Sequence, residues 1–233
     1  MLLSVTIYVR ATRKRWARTL KGVILKKSRM CWVVCALFLM QFLVLVAPSL
    51  AQSLDAAQQQ EVDALTKQIE ANPNDPGPLS KRGFIFKTAK IWEKAAPDFE
   101  RCLVLNPQWQ QGYIFRAEYL EKHGRVKEAI SALDKAEAIE PLPAMKVAWR
   151  GDLFVTLKEY KPAIAEFSKA VALSPDDYRA YAARAGAKLS LYGPCEDVVK
   201  DLEKSIAINP SYKIASLLLE DVRQRLKSEN SIK

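Results

Sequence analysis

Residues 144–177 read AMKVAWRGDLFVTLKEYKPAIAEFSKAVALSPDD, and the chain repeats this pattern on both sides. The repeat is easiest to see in its prolines, since a proline pushes the residue before it out of the α region and so ends a helix. A regular period of about 20–50 residues indicates an array of stacked structural units. The prolines in register are Pro73, Pro107, Pro141, Pro175 and Pro210, separated by 34, 34, 34 and 35 residues.

Small and large side chains also recur at fixed places within each unit. Each unit is long enough for two helices of about a dozen residues joined by a short turn. A small residue on the first helix, facing an alanine on the second, lets the two backbones approach closely. The small residues are Gly83, Ala117, Gly151 and Ala185; the alanines are Ala95, Ala129 and Ala163; the large apolar residues are Phe99, Leu133, Phe167 and Leu202.

This arrangement resembles the tetratricopeptide repeat family, whose signature is a bulky, a small and an aromatic residue followed by alanine, phenylalanine and proline. The bulky place holds Leu79, Tyr113, Val147 and Tyr181, and the aromatic place holds Phe86, Leu120 and Phe154. The resemblance implies an all-α, right-handed superhelical solenoid in which the stack of hairpins is the core. Four units are predicted at 76–109, 110–143, 144–177 and 178–212, with capping helices at 54–73 and 213–228.

The net charge of +10 is concentrated at one end of the chain. Nine of the 36 basic residues lie between Arg10 and Arg29, and no acidic residue precedes Asp55. The remaining 27 basic residues nearly balance 26 acidic ones, so the sequence gives no support for nucleic-acid binding.

Residues 1–51 have the pattern of a secretory signal. A basic region, 1–29, precedes an uncharged apolar core, 30–47, and small residues stand at Ser49 and Ala51. We expect cleavage after Ala51, which would leave the repeats periplasmic or secreted. The alternative is an uncleaved signal anchor, because the apolar core is at the lower edge of what spans a bilayer. In that case the repeats lie on the outer side of the membrane, since the basic end stays cytoplasmic.

Four arginines recur immediately before the small residue of each unit. A buried arginine needs a partner, and three units carry an acid just before the large apolar residue of the second helix. The favoured interpretation is therefore a structural ion pair within each hairpin, and the alternative is a ladder that binds a polyanion or acidic peptide. The arginines are Arg82, Arg116, Arg150 and Arg184; the acids are Asp98, Glu166 and Asp201, with Ala132 at that place in the second unit and Asp134 nearby.

The resemblance also implies a binding surface, because the first helices of such repeats line an inner face on which peptides lie. Ser80 and Phe84 stand where relatives that grip a chaperone carboxylate have lysine and asparagine, so that ligand is not expected. The predicted function is an exported scaffold for protein–protein interaction in the cell envelope. The alternative is a module for a cell-wall glycan or small molecule, which exposed aromatics such as Phe84 and Trp109 would favour. The matching partner-binding positions are Phe84, Lys87, Glu118, Glu121, Lys122, Asp152 and Arg179.

Catalytic chemistry finds little support in the sequence. His123 is the only histidine, and glycine-rich phosphate loops and nucleophile elbows are absent. No enzyme activity, cofactor or metal is therefore expected. Cys31 and Cys35 belong to the signal region, while Cys102 and Cys195 are too far apart along the stack for a disulfide and are expected to be buried thiols.

Overall fold

The computed structural model describes residues 54–232, with side chains as far as Ser228. The predicted signal segment, 1–51, lies outside the described residues. Within 54–232 the structure contains ten α-helices and no strand, and no helix there is both long and apolar enough to cross a membrane. The helices are α1 (Ala56–Ala71), α2 (Pro76–Thr88), α3 (Trp92–Leu105), α4 (Gln110–Lys122), α5 (Val126–Ile139), α6 (Ala144–Thr156), α7 (Tyr160–Leu173), α8 (Tyr178–Tyr192), α9 (Glu196–Ile208) and α10 (Lys213–Ile232).

The repeated prolines end helices as their steric effect requires. Each residue before one of these prolines has left the helical region, with φ between −134° and −147°. Within each hairpin the turn instead uses one residue of positive φ. Gly124 and Gly193 supply it in two hairpins, while Lys90 and Lys158 adopt it in the others at φ 62° and 61°.

Consecutive helices pack as four antiparallel hairpins: α2 with α3, α4 with α5, α6 with α7, and α8 with α9. Each hairpin then packs on the next through the second helix of one and the first helix of the following one. Helix α1 packs on α2, and α10 packs on α9, so both ends of the stack are covered. The predicted all-α solenoid of helical hairpins is confirmed.

Side-chain volume within the hairpins is matched between the two helices. A Cβ added to Gly83 would lie 2.8 Å from the Phe99 ring, and one added to Gly151 would lie 2.7 Å from the Phe167 ring. Hairpins with phenylalanine on the second helix therefore carry glycine on the first. The other two hairpins combine Ala117 with Leu133 and Ala185 with Leu202, all fully buried. Because protein interiors are packed to near-crystalline density, the size of each large residue limits the size of the small residue that it faces.

Candidate functional site

The first helices of the hairpins lie side by side and share polar contacts. Glu118 on α4 accepts from Lys87 on α2 at 2.8 Å and from Lys146 on α6 at 3.1 Å. Trp149 Nε1 on α6 donates to Glu121 Oε2 on α4 at 3.0 Å. We call this surface the first-helix face; its residues are Phe84, Lys87, Glu118, Glu121, Met145, Lys146, Ala148, Trp149, Asp152, Arg179, Ala183 and Gly186.

The charges in the N-terminal half of the first-helix face neutralise one another. Glu118 is held between two lysines, and its side chain is only about one-fifth exposed. The Lys87 ammonium also lies 4.1 Å from the centre of the Phe115 ring and 5.9 Å from that of Phe84. The predicted binding residues Lys87 and Glu118 are therefore engaged with each other, while Phe84 keeps 51% of its surface exposed.

The C-terminal half of the first-helix face opens into a groove of about 880 Å³. Helices α6, α8 and α10 form its walls, so the terminal helix contributes to a surface that the sequence assigned to the first helices alone. Small residues, including Ala148, Ala183 and Gly186, form part of the lining. Asp152 and Arg179, both predicted as binding residues, lie within this groove.

Asp152 carries the least compensated charge of the groove. Its carboxylate makes no ion pair and accepts no hydrogen bond within the described part of the chain. Asp152 is exposed at the groove surface, and partial desolvation by the surrounding helices first and the Glu121 carboxylate second raise its pKa. The site therefore holds a negative charge that the folded protein does not neutralise internally.

The two exposed cations among the predicted binding residues, Lys122 and Arg179, each lie near an aromatic side chain. Lys122 is exposed on α4, and its ammonium lies 5.6 Å from the Trp92 ring rather than over the groove. Arg179 is exposed, and its Nε donates to Tyr178 Oη at 3.1 Å.

Three of the four recurring arginines contact the acid of their own hairpin. Arg82 donates to both oxygens of Asp98 at 2.9 and 2.7 Å, and Arg184 donates to both oxygens of Asp201 at 2.9 and 2.6 Å. Arg150 is only 3% exposed, and its Nε and Nη2 donate to Glu166 at 3.0 and 2.8 Å.

Each of these arginines also reaches back to the helix that precedes its own hairpin, a contact that the sequence reasoning missed. Nη1 of Arg82 donates to Thr66 on α1, and Nη1 of Arg150 donates to Asp134 on α5, both at 2.9 Å. Arg184 makes the same contact with Ser168 on α7, at 3.4 Å. The signal was present in the sequence, because the accepting positions Thr66, Glu100, Asp134 and Ser168 follow one another at the repeat period of 34 residues.

Arg116 is the exception in this ladder. Ala132 stands where the other units have their acid, and the Nε of Arg116 lies 3.1 Å from Glu100 on the preceding second helix. In the sequence, Asp134 stands near the vacant acid position of the second unit; in the structure it pairs with Arg150 of the following unit. The Arg116 side chain is 40% exposed, compared with 3% for Arg150. That the ladder serves stability rather than ligand binding stays a prediction.

The two aromatics considered for glycan binding differ in their surroundings. Trp109 is half-buried and packs against Phe99 and Phe115, with ring centres 5.9 and 6.0 Å away. Its indole also covers Gly112, where a Cβ would lie only 2.3 Å from the ring. Trp109 is therefore part of the packing between hairpins, and Phe84 alone of this pair offers an exposed ring.

Cys102, Cys195 and His123 occupy structural positions. Cys102 is buried, and burial first and Asp98 second raise its pKa to about 11. Cys195 was also expected to be buried, but it is half-exposed because it precedes α9 as its N-cap residue.

His123 Nδ1 lies 2.7 Å from the Tyr119 carbonyl oxygen. Among residues 54–232, no group of three or more histidine, cysteine or acidic side chains is placed to hold a metal ion.

Comparison with known proteins supports the tetratricopeptide repeat family. The family model described as tetratricopeptide repeat matches residues 148–177. Hsp70-Hsp90 organizing protein 3 of Arabidopsis thaliana is 27% identical over 128 residues, covering 54% of this chain and 21% of that protein. RNA polymerase II-associated protein 3 of Mus musculus is 32% identical over 135 residues, covering 58% and 19% respectively. The chain thus spans about a fifth of the length of the curated relatives it matches.

Solved structures agree on the fold. The crystal structure of MamA superposes with a TM-score of 0.60 at 21% identity, covering 64% of this chain and 86% of that one. MamA from Desulfovibrio magneticus RS-1 gives the same TM-score at 18% identity, covering 67% and 88%. Repeats of this type stack into extended concave surfaces that bind other proteins.

Proposed function

We propose that this protein is an exported scaffold of the cell envelope that binds a segment of a partner protein on its first-helix face. The observation that carries the proposal is the groove of about 880 Å³ between α6, α8 and α10. Ligand sites are concave and largely apolar, with a few polar groups that fix orientation, and this groove combines small apolar residues with Asp152 and Arg179.

Stacked hairpins suit this role because they present a preformed surface. The first helices are cross-linked by the contacts of Glu118 with Lys87 and Lys146, and by that of Trp149 with Glu121. A partner segment would therefore bind with little ordering of the solenoid itself, and less of the binding free energy would be lost to conformational entropy.

Export is proposed from the sequence of residues 1–51. The basic region, the apolar core and the small residues before position 52 support it. Mass spectrometry of the mature protein tests this directly. An N-terminus at Gln52 would support cleavage, an intact N-terminus in the membrane fraction would support the anchor, and an intact soluble chain in the cytoplasm would refute export.

The binding surface is tested by chemical crosslinking of the full chain in envelope preparations, followed by identification of the captured proteins. The informative variant is Asp152→Lys, which reverses a charge inside the groove. Glu159→Lys makes the same charge change at an exposed position outside the groove. We expect Asp152→Lys to lose partners that Glu159→Lys retains. Identical captured proteins from both variants would refute binding in the groove.

A glycan or small molecule remains the second candidate because Phe84 is half exposed beside Lys87. Aromatic faces and charged groups together bind sugars and cationic ligands. Replacing Phe84 with alanine should abolish binding of such a ligand, while leaving a protein partner of the C-terminal groove in place. Calorimetric titration of the unchanged protein and of Phe84→Ala with envelope glycan fragments distinguishes the two candidates.

A further inference from the structure

Gly186, in the middle of α8, lies in the groove without a packing reason for being glycine. A Cβ added there would have no heavy atom within 4 Å, in contrast to Gly83 and Gly151, where the facing ring leaves no room. Glycine in a helix interior costs about 0.5–1 kcal/mol relative to alanine. Gly186 also belongs to the residues that line the groove. Its missing side chain therefore leaves open space on the groove floor at a cost in helix stability.

The rim of the groove exposes large apolar side chains. Met145 on α6 is 70% exposed and Ile214 on α10 is 61% exposed, and both line the groove. Exposed apolar groups that border a concave surface are typical of a binding site. They would pack against apolar side chains of a segment lying over the small residues of the floor.

The charged groups of the groove are mostly acidic. Its described lining residues include Asp152, Asp176 and Asp177 but a single basic residue, Arg179. Asp176 accepts from Ser174 Oγ at 2.7 Å, and Asp177 caps the N-terminus of α8. Asp152 alone has neither a hydrogen bond to its carboxylate nor a cationic partner in the residues that the structure describes.

The contrast with the N-terminal half of the first-helix face shows that this imbalance is local. There, Glu118 is matched by Lys87 and Lys146 within 3.1 Å. At Asp152, by contrast, the nearby Glu121 carboxylate adds to the negative field instead of relieving it. Complementary charge determines which partners associate and how fast, so the groove discriminates in favour of a cationic segment.

On the basis of the proposed function, we propose that this groove binds a basic, apolar peptide segment of the partner. The apolar side chains of the segment contact Met145 and Ile214, its backbone lies close to Gly186, and a lysine or arginine pairs with Asp152. The occupant is thus a protein segment that carries positive charge, and an acidic segment is excluded by repulsion.

Three short synthetic peptides test the charge preference. They share the same leucine and methionine residues and carry lysine, glutamate or serine at every other position. Binding of each fluorescent peptide to the full-length protein is measured by anisotropy. We expect the lysine peptide to bind about tenfold more tightly than the serine peptide, with no detectable binding of the glutamate peptide. Raising the salt concentration should reduce this preference, because partly exposed charges are screened.

Two substitutions in the groove and one control outside it connect the preference to the groove. Asp152→Asn should reduce the affinity for the lysine peptide about fivefold and leave the serine peptide unchanged, whereas Glu159→Gln, outside the groove, should change neither. Gly186→Leu fills the floor and should abolish binding of all three peptides. Because space is open at Gly186, this variant is expected to fold, which circular dichroism verifies.

The outcomes separate this inference from the proposed function. Equal affinity for the lysine and glutamate peptides, with loss of both in Gly186→Leu, would overturn the charge preference and leave the groove as a protein-binding site. Unchanged binding in Asp152→Asn would likewise overturn the role of that carboxylate. No binding by any of the three peptides would refute the inference, while the crosslinking comparison of Asp152→Lys with Glu159→Lys still decides the proposed function.

Discussion

Replacing Arg150 with methionine should destabilise the protein far more than the same change at Arg116. Both arginines occupy the same place in their repeats, and methionine keeps most of the apolar stem of the side chain. Arg150 is almost fully buried and lies within hydrogen-bond distance of Asp134, Glu137 and Glu166. Burial alone would lower its pKa, yet the hydrogen bonds of Glu137 and Glu166 raise it above the ordinary value. The neighbouring carboxylates therefore stabilise the charged form of Arg150.

The magnitude follows from what each substitution leaves behind. Arg150→Met removes the principal partner of Glu166, whose side chain is 10% exposed, and loss of one member of a buried pair costs about 3–5 kcal/mol. Lys169 lies 3.3 Å from the other Glu166 oxygen, which favours the lower end, about 3 kcal/mol. The pair of Arg116 with Glu100 is 40% and 49% exposed, so Arg116→Met should cost less than about 1 kcal/mol.

Urea denaturation followed by circular dichroism measures both costs. The double variant Arg150→Met with Glu166→Leu should recover most of the loss, because a buried ion pair can be replaced by apolar residues with little change in stability. Simple charge reversal at the two positions would recover less, since a glutamate at position 150 would still face Asp134 and Glu137. A cost for Arg150→Met below about 1 kcal/mol, no larger than that for Arg116→Met, would refute a structural role for the ladder.

Three further predictions concern packing, reactivity and pH. Gly151→Ala should destabilise the protein by about 1–3 kcal/mol, because the added methyl group overpacks against the Phe167 ring. Adding Phe167→Leu should partly rescue stability in the same urea experiment. If the costs of the two substitutions were simply additive, the two side-chain volumes would not be matched to each other. At pH 8, iodoacetamide should modify Cys195 and leave Cys102 intact in peptide maps, because the Cys102 pKa is raised to about 11; equal modification would contradict this burial. Because the pKa of Asp152 is raised, the native state binds the proton of this carboxyl more tightly than the unfolded chain does. The free energy of unfolding therefore falls as pH rises through the native-state pKa. Asp152→Asn should therefore stabilise the protein at pH 7 and lose this effect below the ordinary pKa of 3.8, as measured by thermal unfolding; destabilisation at pH 7 would refute it.

The helical hairpins were predictable because each depends on local steric rules that repeat along the chain. The residue before each repeated proline leaves the helix, and Gly83 and Gly151 face the rings that require them. The pairing of Arg82 with Asp98 follows from the same period, because both positions belong to one hairpin.

The contacts between hairpins were harder to foresee. A guanidinium has five N–H donors, and the sequence reading assigned only those that face the acid of its own hairpin. The remaining donors reach Thr66, Asp134 and Ser168 on the helix that precedes each hairpin, and this distance depends on how the hairpins stack. The recurring polar residues at these positions carried the signal, but the geometry of stacking was needed to interpret it.

The groove was only partly predictable for the same reason. The repeat pattern placed Asp152 and Arg179 on the first helices, and both lie in the groove. It did not show that Lys87 and Glu118 would neutralise each other, or that α10 would close one side. Those features depend on side-chain contacts between neighbouring units and on the terminal helix, which lies beyond the last repeat.

Site-specific photocrosslinking in cells tests most directly whether the groove is the binding surface. A photoreactive residue at Ala183, inside the groove, is compared with one at Ala172, an exposed position of α7 outside it. Crosslinking of a defined protein from Ala183, absent from Ala172 and lost when Gly186→Leu fills the floor, is the predicted result. The same adducts from both positions, or adducts from Ala183 that persist in Gly186→Leu, would contradict partner binding in this groove.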